Sequence, residues 1–176
     1  MKNINDLTIK EYKLFEELVK DSDILGVFEL FKVDISNMSI LDMNTKFMQI
    51  TSMPEIKYKI KKTYYIGKRK YKPQLNLAKI KAAQFIDFQS YMSGDRRMEQ
   101  ILSVFLIPMH KQYGIWREGK YNEYDMAEVQ EEIANNFRIS DARALSDFFF
   151  HLSINLLQVL KDSSMKAEVK KKMRKK

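Results

Sequence analysis

Apolar residues recur at intervals of three and four over most of the chain, a spacing that predicts a mainly helical protein. In the first third of the chain, this pattern predicts three short helices over residues 9–20, 24–31 and 40–53. Thr8 with Glu11, and Ser39 with Asp42, have the spacing of capping boxes, in which two side chains satisfy the exposed amides of a first helical turn. Pro54 follows the third helix and cannot continue it.

The most apolar stretch of the chain, residues 80–108, predicts two buried helices joined by a tight turn. The first helix carries apolar residues on more than one face, at Ala82, Ala83, Phe85, Ile86 and Phe88. Gly94 breaks the pattern, and Asp95 can cap a second helix that continues to Pro108. Because this second helix is apolar almost all round, we expect it at the centre of the fold.

Between residues 57 and 72 the apolar period changes to two, which predicts a β-hairpin. Gly67 and Lys68 stand where its turn would fall, and Pro73 would end its second strand. Lysines alternate with tyrosines and isoleucines along both strands, so the predicted hairpin is strongly basic.

Residues 109–124 predict a surface loop, because Gly, Tyr and charged residues are frequent there and no regular period continues. The only tryptophan of the chain, Trp116, lies in this segment. A loop with an aromatic side chain of this kind is a candidate contact surface.

Two further helices are predicted in the last third of the chain. Asp125 can cap the first, which reaches Phe137, and Ser140 with Asp141 can cap the second, whose apolar stripe continues to Leu160. The outer face of the first helix is acidic and can lie opposite a basic segment; its acids are Glu128, Glu131 and Glu132.

Together these elements predict a mainly α, single-domain helical bundle of about six to seven helices, with one inserted basic β-hairpin at about residues 57–72. The domain would cover residues 1–160. Residues 161–176 would follow as a basic C-terminal helix extension or a frayed tail. A length of 176 residues suits one domain with a hydrophobic core.

The formal net charge of +8 is concentrated in two clusters. One lies in the predicted hairpin and includes Lys61, Lys62, Lys68, Arg69 and Lys70, and the other includes Lys170, Lys171 and Lys172. Basic clusters bind nucleic acid, bind an acidic partner or are simply solvated, and solvation is the ordinary case. Lysines that alternate with Tyr64, Tyr65 and Tyr71 resemble a nucleic-acid surface, although any edge hairpin has the same pattern.

Residue types that carry catalysis are sparse in this chain. It has no cysteine, and its two histidines, His110 and His151, stand far apart without a metal-ligand spacing. Asp87, inside an apolar helix, is the acid that most resembles a general base, but a structural role is the more common one, and we expect it to face the lysines of the hairpin or to cap a neighbouring helix. Gln84 and Gln89 beside it are expected to anchor backbone groups. The sequence therefore predicts a protein that is not an enzyme, with no catalytic residues, cofactor or metal.

No apolar run approaches the roughly 20 residues that cross a bilayer, and the first residues lack the apolar centre of a secretory signal. We therefore expect no membrane association and a cytoplasmic site of synthesis. Eleven methionines supply adaptable apolar surface, which suits both irregular cores and binding faces.

Six short segments carry a further pattern. They are Tyr-Tyr-Ile-Gly at residues 64–67, Ala-Ala-Gln-Phe-Ile-Asp-Phe-Gln at 82–89, Leu-Ile-Pro at 106–108, Tyr-Asp-Met-Ala-Glu-Val-Gln at 124–130, Ile-Ser-Asp-Ala at 139–142 and Phe-Phe-Phe at 148–150. Together they resemble a family of phage and prophage proteins from viruses of gut Bacteroidetes, whose members resemble tail-assembly chaperones encoded beside the tape measure protein. The similarity spans about residues 8–160, with departures at Ala83, Met109 and His110.

This resemblance implies a helical chaperone, made in the host bacterial cytoplasm during infection, that keeps the apolar tape measure protein soluble while tail tube subunits gather around it. Its partner-binding surface would include Trp116 and the methionines Met43, Met48 and Met53. A structural virion component, such as a connector, ring or tail-completion subunit, is the first alternative and would place the protein in the virion. A small nucleic-acid-binding protein is the second, and self-association into a homo-oligomer stays open.

Overall fold

The computed structural model describes residues 3–52, 59–76, 79–95, 97–152 and 154, and within them it contains seven α-helices and one four-stranded antiparallel sheet. The helices are α1 (Ile9–Lys20), α2 (Ile24–Phe31), α3 (Ile40–Thr51), α4 (Ala82–Ser93), α5 (Met98–Phe105), α6 (Met126–Asn136) and α7, which covers residues 139–152. The strands are β1 (Tyr64–Ile66), β2 (Arg69–Pro73), β3 (Leu106–Gln112) and β4 (Ile115–Glu118). A mainly helical fold is therefore confirmed, with a larger sheet than the single predicted hairpin.

Side-chain caps begin three of these helices where the sequence predicts them. Thr8 and Glu11 form a reciprocal capping box at α1, in which the Thr8 N–H donates to Glu11 Oε2 at 2.9 Å. Ser39 and Asp42 do the same at α3, and Asp125 accepts from the first amides of α6. Each such cap contributes about 1 kcal/mol to stability, because it satisfies amides that have no partner inside the helix.

Apolar side chains from α1, α2, α5, α6 and α7 meet the inner side of the sheet in one hydrophobic core. Its largest fully buried members include Phe28, Phe31, Tyr71 and Phe149. Phe149 on α7 stacks on Phe105 at the end of α5, with ring centroids 4.2 Å apart. Burial of each side chain of this size contributes about 2 kcal/mol to the free energy of folding. Because residues of the sheet and of the helices share this core, it holds the two together.

The segment before α1 is held against the junction between α6 and α7. The Ile139 N–H donates to the Leu7 carbonyl at 2.7 Å, and the Ile9 N–H donates to the Phe137 carbonyl at 3.1 Å. Thr8 forms an isolated antiparallel bridge with the residue between those two partners. Leu7, Ile9 and Ile139 are all buried, so this segment is part of the core.

The second helix of the predicted central pair is shorter than expected. α5 ends at Phe105, and Leu106, Ile107 and Pro108 belong to β3, which pairs with β2. An apolar run is equally consistent with a buried helix and a buried strand, so the pattern favoured the wrong element beyond Phe105. Gly119 directly follows β4, and its N–H donates to the Pro108 carbonyl. Pro108 therefore stands at the end of the hydrogen-bond ladder between β3 and β4. A proline at that position costs little, because the N–H that it lacks falls at the end of the ladder and not inside it.

The predicted loop at residues 109–124 is wrong in its first half, because β3 and β4 form a second hairpin. The strand order is β1-β2-β3-β4, and every neighbouring pair is antiparallel. Tyr113 and Gly114 form the two-residue turn, with φ of 50° and 81°. Type I′ turns of this length need positive φ at both positions, and glycine adopts it readily whereas tyrosine does not. The turn at Gly67, with φ of 57°, confirms the predicted first hairpin.

Helix α4 is less buried than its sequence pattern predicts. Gln84 and Phe88 are buried, whereas Ile86 is 66% exposed and Ala82 and Ala83 are also exposed. The prediction of a helix buried on more than one face is therefore wrong. Its apolar residues make a broad stripe, but neighbouring elements cover only one edge of it.

Two of the predicted caps are also wrong. α5 begins directly after Arg97, and Asp95 forms an ion pair with Arg97 at 3.2 Å instead of capping the helix. α7 begins before Ser140, so Ser140 and Asp141 lie within its first turn. A carboxylate in a first turn still favours the helix, because it meets the positive end of the helix dipole.

Candidate functional site

A network of charged groups joins the first hairpin to α6 on the inner side of the sheet. Arg69 forms an ion pair with Glu128, and its Nε lies 3.6 Å from Glu132. The Tyr71 hydroxyl donates to the same Glu132 carboxylate. Burial, and then the hydrogen bond to Glu132, raise the pKa of Tyr71. The acidic face of α6 thus lies opposite a basic segment, as predicted, and it neutralises Arg69.

A polar cavity of about 310 Å³ lies between the hairpin and the start of α7. Its lining includes Lys61, Tyr64, Arg138 and Asp141. Lys61 Nζ lies 2.8 Å from Asp141 Oδ2, and the Lys61 backbone N–H donates to the Tyr64 hydroxyl at 2.9 Å. Burial raises the pKa of Tyr64. Lys61 therefore pairs with both Asp141 and Tyr64, whereas the ion-pair partner of Arg138 is Asp6, at 3.8 Å.

The other side of the sheet is open toward the hairpin turns. We call this open part the outer face; it consists of Tyr65, Lys70, Lys72, Met109, Lys111, Trp116 and Glu118. Lys70 stands at its centre, paired with Tyr65 on β1 and with Met109 on β3. At the far end of the same side Ile107 is buried, so the outer face does not extend to the beginning of β3.

One ammonium group lies between two aromatic rings on the outer face. Lys70 Nζ is 5.5 Å from the centroid of the Tyr65 ring and 5.0 Å from that of the Trp116 ring. A cation at such distances is attracted to the ring faces. Tyr65 is 69% exposed and Trp116 is 40% exposed, so both rings remain accessible to a ligand.

The predicted basic cluster of the hairpin is divided between the two sides of the sheet. Lys61 and Arg69 are committed to acids of α6 and α7, whereas Lys70 contacts aromatic rings. Lys62 and Lys68 are exposed, and Lys68 lies in the turn of the first hairpin. The second predicted cluster, Lys170, Lys171 and Lys172, lies outside the described residues, as does the predicted extension at 161–176.

The predicted partner-binding residues do not share one element. Met43 packs against the core from α3, and Met48 is 66% exposed on another side of the same helix. Met53 lies outside the described residues. Trp116 belongs to strand β4 of the outer face, not to a loop.

Helix α3 carries a second apolar stripe, of which only Met48 was predicted as a contact residue. Leu41 is 75% exposed and stands on the same side as Met48, with Thr45 between them and Ile40 also exposed nearby. The opposite side of α3 contacts the core through Met43, Phe47 and Ile50. The sequence contains a signal for this second stripe, because Leu41 and Met48 are seven residues apart and therefore lie on one side of a helix. The core-facing stripe of Met43, Phe47 and Ile50 does not need them. We call Leu41, Thr45 and Met48 the α3 stripe.

Asp87 has a different partner from those predicted. The Tyr121 hydroxyl donates to Asp87 Oδ2 at 2.8 Å, and burial together with this carboxylate raises the pKa of Tyr121. Gln84 is the backbone anchor that the sequence predicts, since its Nε2 donates to the Val104 carbonyl at 2.9 Å. Gln89 is exposed. Asp87 thus acts as a structural hydrogen-bond acceptor between α4 and the turn before α6.

Across the described ranges, no group of three or more His, Cys, Asp or Glu side chains could hold a metal ion. No helix in that part of the chain is both long and apolar enough to cross a bilayer. His110 and His151 are both exposed.

Comparisons of the chain with protein-family models, with curated proteins and with solved structures found no match. The features that stand out on the described surface are the outer face of the sheet and the α3 stripe.

Proposed function

We propose that this protein acts by protein–protein contact, as a tail-assembly chaperone that binds apolar helices of a phage tape measure protein. The observation that carries the proposal is the α3 stripe, which leaves Leu41 and Met48 in water. The phage context rests on the resemblance of the six sequence segments between residues 64 and 150. An exposed apolar stripe is costly for a protein with no partner, because each such side chain gains about 2 kcal/mol when it is buried.

The spacing of the α3 stripe suits an amphipathic helix as the partner. Residues seven apart on a helix are separated by about 10 Å along its axis, and a partner helix presents its own apolar residues at the same interval. α3 is held by Met43, Phe47 and Ile50 on its inner side, so its outer side can receive a partner without unfolding. Methionine at one end of the stripe adapts to partner side chains of different shapes.

The charge of the chain supports a role in keeping an apolar partner in solution. The formal net charge is +8, and a net charge far from zero opposes association between copies of a complex. Ser39 and Asp42 at the start of α3 are polar and exposed, so groups that stay hydrated border the apolar contact at that end.

The proposal is tested by co-expression of the full chain with the tape measure protein of the same phage. The double variant Leu41→Glu/Met48→Glu places two charges in the stripe, and we expect the soluble fraction of the tape measure protein to fall by about tenfold or more. Gln89→Glu adds a charge at an exposed position of α4, a different helix from the one that carries the stripe, and should leave that fraction unchanged. Circular dichroism of each variant checks that α3 still folds.

Two outcomes would remove the proposal. One is full solubility of the tape measure protein with the folded double variant, because the stripe would then not be the contact. The other is abundant protein in purified virions by mass analysis, since a chaperone leaves the particle and a structural component stays in it. The variant Trp116→Glu, run in parallel, tests whether the outer face takes part in the same contact.

A further inference from the structure

We propose that the outer face of the sheet binds single-stranded nucleic acid, with Tyr65 and Trp116 stacking on bases and Lys70 contacting the phosphate between them. The site lies on a different element from the α3 stripe and does not depend on the proposed chaperone function. It rests on three observations: the placement of two aromatic rings, the distribution of charge between the two sides of the sheet, and the exposure of both rings on the same side of the sheet.

The two rings are placed for two bases of one strand. Because a single Nζ atom lies 5.5 Å from one ring centroid and 5.0 Å from the other, the centroids can be at most 10.5 Å apart. Nearby nucleotides of an unstacked strand can span such a separation while their bases are splayed onto separate rings. Every base has a flat face, so stacking of this kind does not require a particular sequence.

Acids neutralise Arg69 on the inner side of the sheet, whereas the outer face carries lysines that have no acidic partner in the described part of the chain. This difference favours an anionic ligand on the outer face. On the inner side, Arg69 is neutralised by Glu128 and Glu132. On the outer face the one acid, Glu118, is paired with Lys72. None of the ion pairs among the described residues involves Lys70 or Lys111, and both lysines belong to the outer face that carries the two rings. The outer face therefore presents lysines that remain available for phosphate oxygens.

An exposed surface of aromatic rings and lysines suits nucleic acid better than an acidic peptide. Tyr65, Lys70, Met109 and Glu118 occupy one cross-strand row, and Trp116 stands beside it, so the same exposed side of the sheet carries both rings. An acidic peptide gains from the lysines alone, whereas a nucleic acid strand uses both the lysines and the ring faces.

The sole tryptophan makes the proposal directly measurable, because Trp116 reports on the site by its own fluorescence. The full chain is titrated with oligothymidylate and with oligouridylate of equal length, at several salt concentrations. We expect saturable quenching of Trp116 that weakens as salt rises. Lys70→Gln should reduce the slope of log affinity against log salt by about 0.7, the value for one lost phosphate contact with a single strand.

Matched variants separate stacking from general attraction. Tyr65→Ala should weaken binding by about tenfold, because one stacked base is lost. Tyr113→Ala removes a more exposed aromatic ring outside the outer face, and Lys10→Gln removes an exposed lysine of α1; both should leave the affinity unchanged. Duplex DNA hides its base faces and should bind more weakly than either single strand at the same salt concentration. Because thymidylate and uridylate differ in both the 5-methyl group and the 2′-hydroxyl, oligodeoxyuridylate of the same length is compared with oligouridylate to show whether the 2′-hydroxyl is read.

Three results would overturn the proposal. The first is no quenching of Trp116 by either oligonucleotide. The second is a loss of affinity in Tyr113→Ala or Lys10→Gln as large as in Tyr65→Ala. The third is equal quenching by polyglutamate, which would assign the outer face to an acidic polypeptide instead. Each of these results leaves the α3 stripe and the proposed chaperone function untouched.

Discussion

Arg69 and Lys70 are neighbours in the chain, yet their charged groups have opposite surroundings. Side chains alternate across a strand, so Arg69 reaches the acids of α6 while Lys70 points out between two aromatic rings. A substitution at position 69 therefore removes the partner of two carboxylates, one of them largely buried. A substitution at position 70 changes an accessible surface and leaves the core intact.

The inner network should contribute measurably to stability through Tyr71. Tyr71→Phe removes the hydroxyl that donates to Glu132, and we expect the free energy of unfolding to fall by about 2 kcal/mol, because a hydrogen bond to a charged group is lost in a buried site. Tyr65→Phe makes the same chemical change on the outer face and should change stability by less than about 0.5 kcal/mol. Urea unfolding of both variants gives the comparison, and equal losses would show that the network adds nothing.

At the scale of single elements, the second hairpin contains a residue poorly suited to its backbone. Tyr113 has a φ of 50°, a conformation that costs a bulky side chain about 1 kcal/mol. Its side chain is 91% exposed, so packing within the described residues compensates little for that cost. Gly114 beside it has open space around its Cβ position and needs glycine only for its backbone angle.

The second hairpin should therefore respond in opposite directions to two turn substitutions. Tyr113→Asn should raise the free energy of unfolding by about 0.5–1 kcal/mol, because asparagine tolerates positive φ. Gly114→Ala should lower it by about 1 kcal/mol, because alanine does not. Thermal unfolding and amide hydrogen exchange of β3 and β4 measure both effects. A fall in stability with Tyr113→Asn would mean that the tyrosine makes a compensating contact.

Several elements whose signals are local were predictable from the sequence, although the predicted caps at Asp95 and Ser140 are wrong. Elements that depend on distant pairing were not predictable. The capping boxes at Thr8 and Ser39 and the turn at Gly67 are decided by a few adjacent residues, and each prediction is confirmed. The apolar residues around Leu106 form a strand only because β2 is available to pair with them. A Tyr-Gly turn is also a weaker hairpin signal than Asn-Gly, so the second hairpin had no strong local marker.

At the scale of the whole molecule, five buried or half-buried tyrosines make folding sensitive to alkali. Burial is the largest cause of a raised pKa at each of them: Tyr12, Tyr64, Tyr71, Tyr121 and Tyr124. In the unfolded chain each phenol would ionise near its ordinary pKa of 10.0. The folded chain keeps these protons to higher pH, so it binds more protons than the unfolded chain above that value.

Stability should therefore be unaffected by these tyrosines below about pH 9 and should fall as the pH rises above about 10, toward their raised pKa values in the folded state. Urea unfolding over a series of alkaline buffers measures the decline. Tyrosinate absorbance, followed in parallel, should rise sharply with unfolding because the buried phenols then ionise. Tyr71→Phe should show a shallower decline than the parent chain. Stability that does not change through this range would contradict the prediction.

The candidate surfaces could be predicted only in part. The basic hairpin and Trp116 are evident in the sequence, and so is the acidic face of α6. The strand register and the position of α6 decide which basic side chains of the hairpin are paired with acids and which are available to a ligand. Both depend on contacts between residues about sixty positions apart, such as Arg69 with Glu128. The exposure of Leu41 likewise depends on which side of α3 the core covers.

The pairing of Leu7 and Ile9 with Phe137 and Ile139 has a consequence for biosynthesis. Residues 7–9 leave the ribosome well before residues 137–139, so the segment before α1 has none of these backbone partners until the junction between α6 and α7 has been synthesised. A nascent chain that stops short of that junction therefore leaves the amide of Ile9 and the carbonyl of Leu7 to water.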